Sequence, residues 1–361
     1  MKVIDVDAHG IEPASVWDYL AKSDEQYRPS ILRKERGSAI QTHFSGPSTK
    51  EYWVIDNYLY GKHDPDAIAE ASKGEISIGA LTLDDIGARL ANMDTQQVDV
   101  QIVYSSIFLN IRIARKEAEL ALTRAYNRWV AERCSGSNGR LRWAFVPSLK
   151  NPQATAEDMK WARDNGAAGV LFRGIEGNQF LDHQDFDPVY AKAAELDLPI
   201  CVHIGHGCPA FETIAQRDNT AFNRFVSDSP NYFAFSMLLR SQVAKMFPQL
   251  RFGFFESGSS WVFSAVQTAM HVRLQPPDLM ALVQEKLRKH NFYITCELHE
   301  DLPTIIKYTG TDNLIMGSDY GHPHDIADTI YYRQSLAKRA DIDDNFKQKV
   351  VRENCNALFH L

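Results

Sequence analysis

Short apolar runs rich in β-branched residues alternate along the chain with longer amphipathic stretches. This alternation is typical of a parallel sheet whose strands are joined by crossover helices. Eight such runs predict strands, at 2–8, 98–104, 141–146, 168–172, 199–204, 250–256, 291–296 and 313–318. The stretches between them predict helices, among them 115–135, 152–165, 186–197, 232–247 and 328–339. Eight strands separated by helices indicate the α/β class, and we expect a (β/α)8 TIM barrel.

The connection after the first strand is too long for a simple crossover. Residues 10–97 include the run EYWVIDNYLYG, which predicts strand and is flanked by Gly and Pro. We interpret 10–97 as a cap or lid inserted over the barrel mouth, within a single domain of residues 1–361. The segment 205–231, after the fifth strand, is expected to form another part of the rim. A barrel needs roughly 250 residues, so these insertions account for the surplus length.

Composition excludes several kinds of function. The net charge of −7 and the pI near 6.0 argue against a nucleic acid or an anionic membrane as partner. The five cysteines form no C-x-x-C pair, so neither a zinc ribbon nor a disulfide framework is indicated. The N-terminus MKVIDVDAHG has acids where a signal peptide would have its apolar run, and no apolar stretch is long enough to span a membrane. We therefore expect a cytoplasmic protein.

Polar side chains alternate with apolar ones along the first predicted strand. Because successive side chains alternate between the faces of a strand, Asp5, Asp7 and His9 should share one face, and the apolar residues between them the other. The apolar face can pack against helices, so the polar face should point into the barrel. Buried charges there need a partner or a metal. An exposed edge strand is the alternative interpretation.

Histidines and acids also end three later strands. His203 ends the run PICVHIGHG, with His206 in the loop that follows, and Glu256 ends the run LRFGFFESGSSW. A buried core histidine and an acid at a helix N-terminus are the corresponding structural alternatives. Barrel active sites lie at the C-terminal ends of strands, which favours the functional interpretation.

The last predicted strand ends in the same way. In LIMGSDYGHPH, Asp319 terminates an apolar run, and His322 and His324 follow closely. Four strands therefore end in histidine or carboxylate, the ligand types of zinc, manganese and iron sites.

The chain resembles the amidohydrolase-related family, which includes aromatic and amino-carboxy-muconate-type decarboxylases and several C–C and amide hydrolases. The resemblance is carried by VDAHGIEP, GAAGVLFRG, DPVYAKAAELDLPICVH, FPQLRFGFFESGSSWV, GSDYGHPH and ENCNALF, and so covers nearly the whole chain. It implies that Asp7 and His9 form the metal pair of the first strand and that His203 is the ligand of the fifth. It also implies that Asp319 is the acid of the eighth strand that binds metal and handles a proton.

This sequence departs from the family pattern at several positions. The first pair is Asp-x-His, where better-known members have His-x-His or Glu-x-His. Glu256 stands where decarboxylating relatives place a catalytic histidine, and it could do acid work only with a raised pKa. His322 matches the histidine of the family's S-D-Y-P-H turn, with Gly321 replacing the proline. LFRG offers Arg173 but no lysine, so a bridging carbamylated lysine is not expected there.

These residues define the predicted site. The expected metal ligands are Asp7, His9, His203, Glu256 and Asp319. The expected catalytic residues are Asp319, Glu256, His206 and His322. For the substrate we predict contacts with Arg173, as a carboxylate partner or a rim ion pair, and with Trp261. Tyr52, Trp53, Tyr58 and Tyr60 of the insertion could be pocket walls or the core of the cap.

The first functional hypothesis is a metal-dependent hydrolase that acts on a small carboxylated, cyclic or terpenoid-type substrate through a metal-activated water, with zinc as the expected ion. A non-heme diiron oxygenase is the alternative, because three carboxylates with histidines suit iron. A metal-dependent non-oxidative decarboxylase comes next, with manganese as an alternative ion, and a non-catalytic binding barrel comes last. The family resemblance further implies a homo-oligomer, such as a homodimer.

Overall fold

The structure is a computed structural model that describes residues 1–34, 49–211, 220–322 and 329–361. Its strands, numbered along the chain, are β1 (Ile4–Gly10), β2 (Ser30–Arg33), β3 (Glu51–Ile55), β4 (Tyr58–Gly61), β5 (Val100–Ser105), β6 (Leu141–Phe145), β7 (Ala167–Arg173), β8 (Ile175–Glu176), β9 (Gln179–Phe180), β10 (Ile200–His203), β11 (Phe252–Phe255), β12 (Phe292–Thr295) and β13 (Leu314–Ile315).

Eight of these strands form one parallel sheet in the order β1-β5-β6-β7-β10-β11-β12-β13. A parallel bridge between Ala8 and Tyr320 brings the last strand back to the first, and the His9 N–H donates to the Tyr320 carbonyl at 2.6 Å. The predicted eight-stranded barrel is therefore confirmed. Each predicted strand overlaps an observed one, because strands buried on both faces carry near-continuous apolar runs.

Helices cover the outside of the barrel. They are α1 (Pro65–Ala71), α2 (Ile78–Leu81), α3 (Ile86–Gln96), α4 (Ile107–Asn110), α5 (Lys116–Ser135), α6 (Pro152–Asp164), α7 (Asp187–Glu195), α8 (Thr220–Arg240), α9 (Val243–Met246), α10 (Val262–Ala269), α11 (Asp278–Lys289), α12 (Leu302–Thr309), α13 (Tyr332–Lys338), α14 (Asp344–Gln348) and α15 (Asn354–Phe359). Local signals set their starts: Asp85 caps α3 by accepting from the Ala88 N–H, and Asp301 caps α12 in the same way.

The long connection between β1 and β5 carries a small antiparallel sheet of β2, β3 and β4. The run EYWVIDNYLYG, for which strand was predicted, forms the β3–β4 hairpin. Its two-residue turn, Asp56-Asn57, has positive φ at both positions, which matches the twist of a tight hairpin. Trp53 packs edge-on against Trp17, and the Tyr60 hydroxyl bonds the backbone of Arg112. These aromatic residues hold the cap together and fasten it to the barrel.

One prediction about β1 is wrong. Asp5 pairs in register with Gln101, and a β-bulge between Asp5 and Ala8 breaks the alternation of side chains. The Asp5 carboxylate consequently accepts from Gln101 and Ser318, whereas Asp7 and His9 contact His203 or each other. Asp5 therefore does not share their face. Burial, opposed by these hydrogen bonds, raises the pKa of Asp5 to about 6.

The segment 205–231 is described in part. Residues 212–219 of this predicted rim, and His324 near the end of the barrel, lie outside the described residues. Within the part of the chain that is described, no helix combines the length and apolar character needed to cross a bilayer.

The last barrel strand lies unusually close to the first, and this contact generates a prediction. A Cβ on Gly317 would lie 2.7 Å from the Asp7 nitrogen and in conflict with the Asp7 side chain. We expect Gly317→Ala to lower the free energy of unfolding by about 1–3 kcal/mol through overpacking. Denaturant unfolding would measure it. Gly136→Ala is the matched control, because no atom lies within 4 Å of its added Cβ. Equal stability of the two variants would contradict the prediction.

Candidate metal centre

The side chains that end the barrel strands converge at one face of the barrel. Asp7 and His9 lie on β1, His203 ends β10, Glu256 follows β11 and Asp319 follows β13. They form two overlapping groups of ligand-type atoms, each within 4.8 Å of one another: Asp7, His9 and His203 in the first, and His9, Glu256, Asp319 and His322 in the second. All five predicted metal ligands thus belong to one cluster.

The first group centres on Asp7. Its Oδ1 lies 3.2 Å from His203 Nε2 and 3.3 Å from His9 Nε2. His203 Nδ1 lies 3.0 Å from the Ile204 carbonyl oxygen, which it can reach only as a donor. This backbone contact orients the ring and favours the tautomer whose Nε2 faces the cluster with a lone pair.

The second group centres on Asp319. Its Oδ1 lies 3.4 Å from His9 Nε2 and 3.0 Å from His322 Nδ1. On its other nitrogen, His322 Nε2 is 3.0 Å from the hydroxyl of Ser106. Glu256 joins the two groups, because its Oε2 lies 3.7 Å from His203 Nε2.

The donor set fits a divalent metal ion. Two donors that each lie about 2.1 Å from a tetrahedral ion are about 3.4 Å apart, close to the separations around Asp7 and Asp319. His9 gives a further indication: its side chain is completely buried, and neither ring nitrogen makes a well-formed hydrogen bond, although Nε2 faces the carboxylates of Asp7 and Asp319. Buried polar atoms seldom remain without a partner, and a metal ion would give one to His9 Nε2.

The backbone brings two carboxylates into the cluster by the same device. Glu256 and Asp319 each follow a short strand and adopt a left-handed conformation, with φ of 61° and 47°. This conformation costs a non-glycine residue on the order of 1–3 kcal/mol, and such strain concentrates at functional sites. The Glu256 N–H donates to Thr295 Oγ1 at 2.9 Å, which holds the strained turn.

Electrostatics divides the cluster into ionised and neutral groups. Burial disfavours the charge of Asp7, but His203 and His9 outweigh it and lower the pKa of Asp7 to about 2. Burial and the charge of His322 lower the pKa of His9 to about 4, so its ring is neutral at pH 7. For His322, the Asp319 carboxylate outweighs burial and raises the pKa to about 9.

A second carboxyl group titrates near neutral pH. Burial, reinforced by the charge of Asp319, raises the pKa of Glu256 to about 7. This is the shift that acid catalysis by Glu256 would require.

Sequence reasoning missed three residues at this site. Glu297 lines a cavity of about 280 Å³ together with Asp7, Glu256 and Asp319, and burial and the charge of Glu256 raise its pKa to about 8. Glu297 directly follows a predicted strand, so its position was a usable signal. Tyr104 packs against the rings of His9 and His203, and His63 of the cap stacks on His322. No local pattern distinguishes these two.

The remaining predicted catalytic residue, His206, belongs to neither ligand group. The His206 Nε2 atom lies 2.6 Å from the Ser227 hydroxyl on α8, and the backbone N–H of His206 donates to the Leu109 carbonyl. His206 therefore ties the loop after β10 to neighbouring elements.

Neither predicted substrate contact lines the cavity beside Asp7, Glu256 and Asp319. The Arg173 guanidinium pairs with Glu176 at 2.5 Å and donates to the Ile111 carbonyl at 2.6 Å. Arg173 lines a different, larger cavity of about 450 Å³, together with residues of the segments that follow β5 and β6. Trp261 packs on Tyr232 and Phe235, and its indole donates to the carbonyls of Ser257 and Gly258, in the loop that follows Glu256.

The chain is similar to a known protein family in sequence and to solved proteins in structure. A model of the amidohydrolase family matches residues 85–361, which is more than half of the chain. No curated protein sequence matches the chain. Among solved structures, an amidohydrolase from Mycobacterium avium subsp. paratuberculosis K-10 is similar with a TM-score of 0.76 and 21% identity, covering 100% of this chain and 98% of its own.

Two decarboxylases are also similar in structure. The 5-carboxyvanillate decarboxylase LigW of Sphingomonas paucimobilis has a TM-score of 0.65 and 18% identity, covering 100% of this chain and 99% of its own. The 5-carboxyvanillate decarboxylase of Novosphingobium aromaticivorans DSM 12444, solved with manganese, has a TM-score of 0.63 and 17% identity, covering 100% and 96%. At these identities the likeness establishes the fold.

The geometry of the first ligand group predicts which histidine is needed for metal binding. We expect His203→Ala to weaken the binding of Zn²⁺ or Mn²⁺ at least about tenfold, because it removes one donor from the set. Calorimetric titration of the metal-stripped protein would measure the change. His183→Ala is the control, since the His183 side chain is 41% exposed and belongs to neither group. Unchanged affinity in His203→Ala would refute the ligand assignment.

Proposed function

This chain belongs to the amidohydrolase family, and from that premise we propose that it is a metal-dependent hydrolase of a small cyclic or terpenoid-type substrate that carries a carboxylate. The observation that carries the proposal is the position of Asp319. It lies among the ligand-type residues and also contacts His322, so metal binding and proton transfer meet at one residue. Asp319 Oδ1 lies 3.4 Å from His9 Nε2 and 3.0 Å from His322 Nδ1, so one carboxylate oxygen contacts both a predicted metal ligand and the histidine of the relay.

A divalent ion would be held by Asp7, His9, His203 and Asp319. It would supply a Lewis acid that acidifies a water and polarises a substrate carbonyl. Zinc is the ion we propose first, since two histidines and carboxylates suit it and hydrolases commonly use it. Manganese is the second choice, and it is the ion found with the similar decarboxylase of Novosphingobium aromaticivorans.

The proton route consists of this chain's own residues. Asp319 accepts the proton from the attacking water, and His322 stabilises the carboxylate in its charged form at 3.0 Å. Ser106 holds the far nitrogen of His322, so the ring stays aligned with Asp319. Glu256, which follows β11 two strands away in the sheet, provides a second proton carrier and delivers a proton to the leaving group. This division of labour needs one carboxylate that ionises readily and one that does not.

The shape of the site supports a small substrate. The cavity beside Asp7, Glu256 and Asp319 has a volume of about 280 Å³, which is at the lower end of the range for small-molecule pockets. A substrate carboxylate would meet the metal-bearing side of this cavity. Arg173 is already paired with Glu176 in the larger cavity, so its proposed contact with substrate would require that ion pair to open.

A decarboxylase is a second candidate, favoured by the similar solved structures that act on 5-carboxyvanillate and 2,6-dihydroxybenzoate. In this reaction the same residues would hold the metal ion, and the ion would bind the substrate carboxylate. Glu256 would then protonate the carbon that loses carbon dioxide, in the place where decarboxylating relatives use histidine. The raised pKa of Glu256 suits that role.

A diiron oxygenase is a third candidate, favoured by a different observation. The two ligand groups share His9 and together with Glu297 bring four carboxyl groups to one cavity. If all four ionised, a single divalent ion would leave a net negative charge, whereas two ions would balance it. Carboxylate and histidine donors suit non-heme iron.

Metal analysis followed by three assays separates these reactions. We expect about one zinc or manganese per chain in protein purified without chelator, and acid release from aryl esters and lactones in a pH-stat. Release of carbon dioxide from 5-carboxyvanillate without ester hydrolysis would replace the hydrolase with the decarboxylase. Two irons per chain, with oxygen uptake, would establish the third candidate.

A variant of the relay tests the role of Asp319. We expect Asp319→Asn to lower kcat by roughly 10²–10⁴-fold, because the amide cannot accept the proton. The control is Asp344→Asn, since the Asp344 side chain is 94% exposed. Comparison of kcat at matched metal occupancy would separate the loss of proton transfer from the loss of metal. Wild-type kcat in the metal-loaded variant would exclude Asp319 as the base.

A further inference from the structure

The cap contributes one side chain to the metal centre. His63 lies between β4 and α1, and its ring stacks on that of His322 with centroids 5.5 Å apart and planes 23° apart. The His322 ring in turn stacks on His9, at 3.9 Å and 23°. Three imidazoles thus form a continuous run of stacked rings from the cap to a predicted metal ligand.

We propose that His63 is a positioning residue that fixes the tilt of the His322 ring. Through this contact, metal binding at the centre is coupled to the ordering of the cap. This inference rests on the metal-dependent function proposed above, and it assigns to the cap a role in holding the site.

The geometry of His322 shows why stacking matters. Its two nitrogens are fixed by Asp319 Oδ1 and by the Ser106 hydroxyl, each at 3.0 Å. Two such points define an axis through the ring but leave rotation about that axis unrestrained. Rings lying nearly parallel to the His322 plane oppose this rotation, because turning the ring would drive its edge into them. His9 supplies one such ring and His63 the other.

The cap holds His63 from both sides. On the N-terminal side, the Lys62 N–H donates to the Glu51 carbonyl at 2.9 Å, and the Lys62 ammonium pairs with the Glu51 carboxylate at 3.0 Å. On the C-terminal side, Asp64 caps α1 by accepting from the N–H groups of Asp66 and Ala67. The residues immediately before and after His63 are therefore both anchored, which restrains the backbone of His63.

The cap is itself fastened to the barrel next to His322. The Tyr60 hydroxyl donates to the Arg112 carbonyl at 2.7 Å and accepts from the Arg112 N–H at 2.8 Å. Tyr60, His63 and Ser106 line one narrow crevice. Ser106, which hydrogen-bonds to His322, and His63, which stacks on it, are therefore close to the point where Tyr60 fastens the cap. An ion that orders Asp319 and His322 should consequently also restrain residues 58–66.

Two variants of the full-length chain test this role, with Mn²⁺ alone as the probe. His63→Ala removes the ring, and we expect Mn²⁺ affinity to fall roughly tenfold, as for other residues that orient metal ligands. His63→Phe retains a stacking ring without the imidazole nitrogens, and we expect its affinity to stay within about threefold of the wild type. His183→Ala and His183→Phe are the matched controls. Calorimetry measures the affinities.

Hydrogen exchange supplies a readout that does not depend on activity. We expect Mn²⁺ to slow amide exchange in residues 58–66 of the wild type and of His63→Phe, but not of His63→Ala. Wild-type affinity and protection in His63→Ala would overturn the proposal. So would a loss in His63→Phe as large as in His63→Ala, because the nitrogens would then matter and not the stacking.

The wild type alone distinguishes this inference from the proposed function. If Mn²⁺ binds but leaves exchange in residues 58–66 unchanged, the coupling to the cap is overturned while the metal-dependent function stands. If neither Mn²⁺ nor Zn²⁺ binds the wild type, both fail. Should His63→Ala not fold, the wild-type and His63→Phe exchange data still decide the question.

Discussion

The organising constraint of this molecule is the buried negative charge of Asp7. A carboxylate removed from water is costly unless opposite charge or hydrogen-bond donors surround it. Here His203 from the far side of the barrel and His9 from the same strand both approach Asp7 Oδ1. Gly317 allows the last strand to come close enough to enclose the group. The barrel thus closes around a charge that His203 and His9 stabilise.

Much of the fold could be predicted from the sequence, because a parallel barrel buries both faces of each strand and so produces distinct apolar runs. The same logic located His203, Glu256 and Asp319, each of which ends such a run. Asp5 was misplaced because a β-bulge depends on pairing with the neighbouring strand and leaves no local signature. His63 depends entirely on how the cap folds back. Glu297 was within reach, since it follows a predicted strand directly.

Family membership and local chemistry contribute different parts of the interpretation. The amidohydrolase match over residues 85–361 accounts for the barrel from α3 and β5 onwards. Two departures from the pattern that the sequence resembles are Asp7 in the first pair and Glu256 after the sixth barrel strand. Each adds a carboxyl group to the cluster, and Glu297, after the seventh strand, adds one to the adjoining cavity. The site therefore relies on a graded set of acids, in which Asp7 ionises first and Glu256 and Glu297 retain their protons to near-neutral pH or above.

The bridge between Ala8 and Tyr320 also constrains how the protein matures. Parts of the cluster come from segments far apart in the sequence, since Asp7 and His9 lie on β1 whereas Asp319 and His322 follow β13. Asp5 and its partner Ser318 are likewise 313 positions apart. Contacts of such long range form late, and a ribosome must have released both segments before they can meet. A nascent chain therefore cannot assemble the complete cluster before the residues up to His322 have left the ribosome.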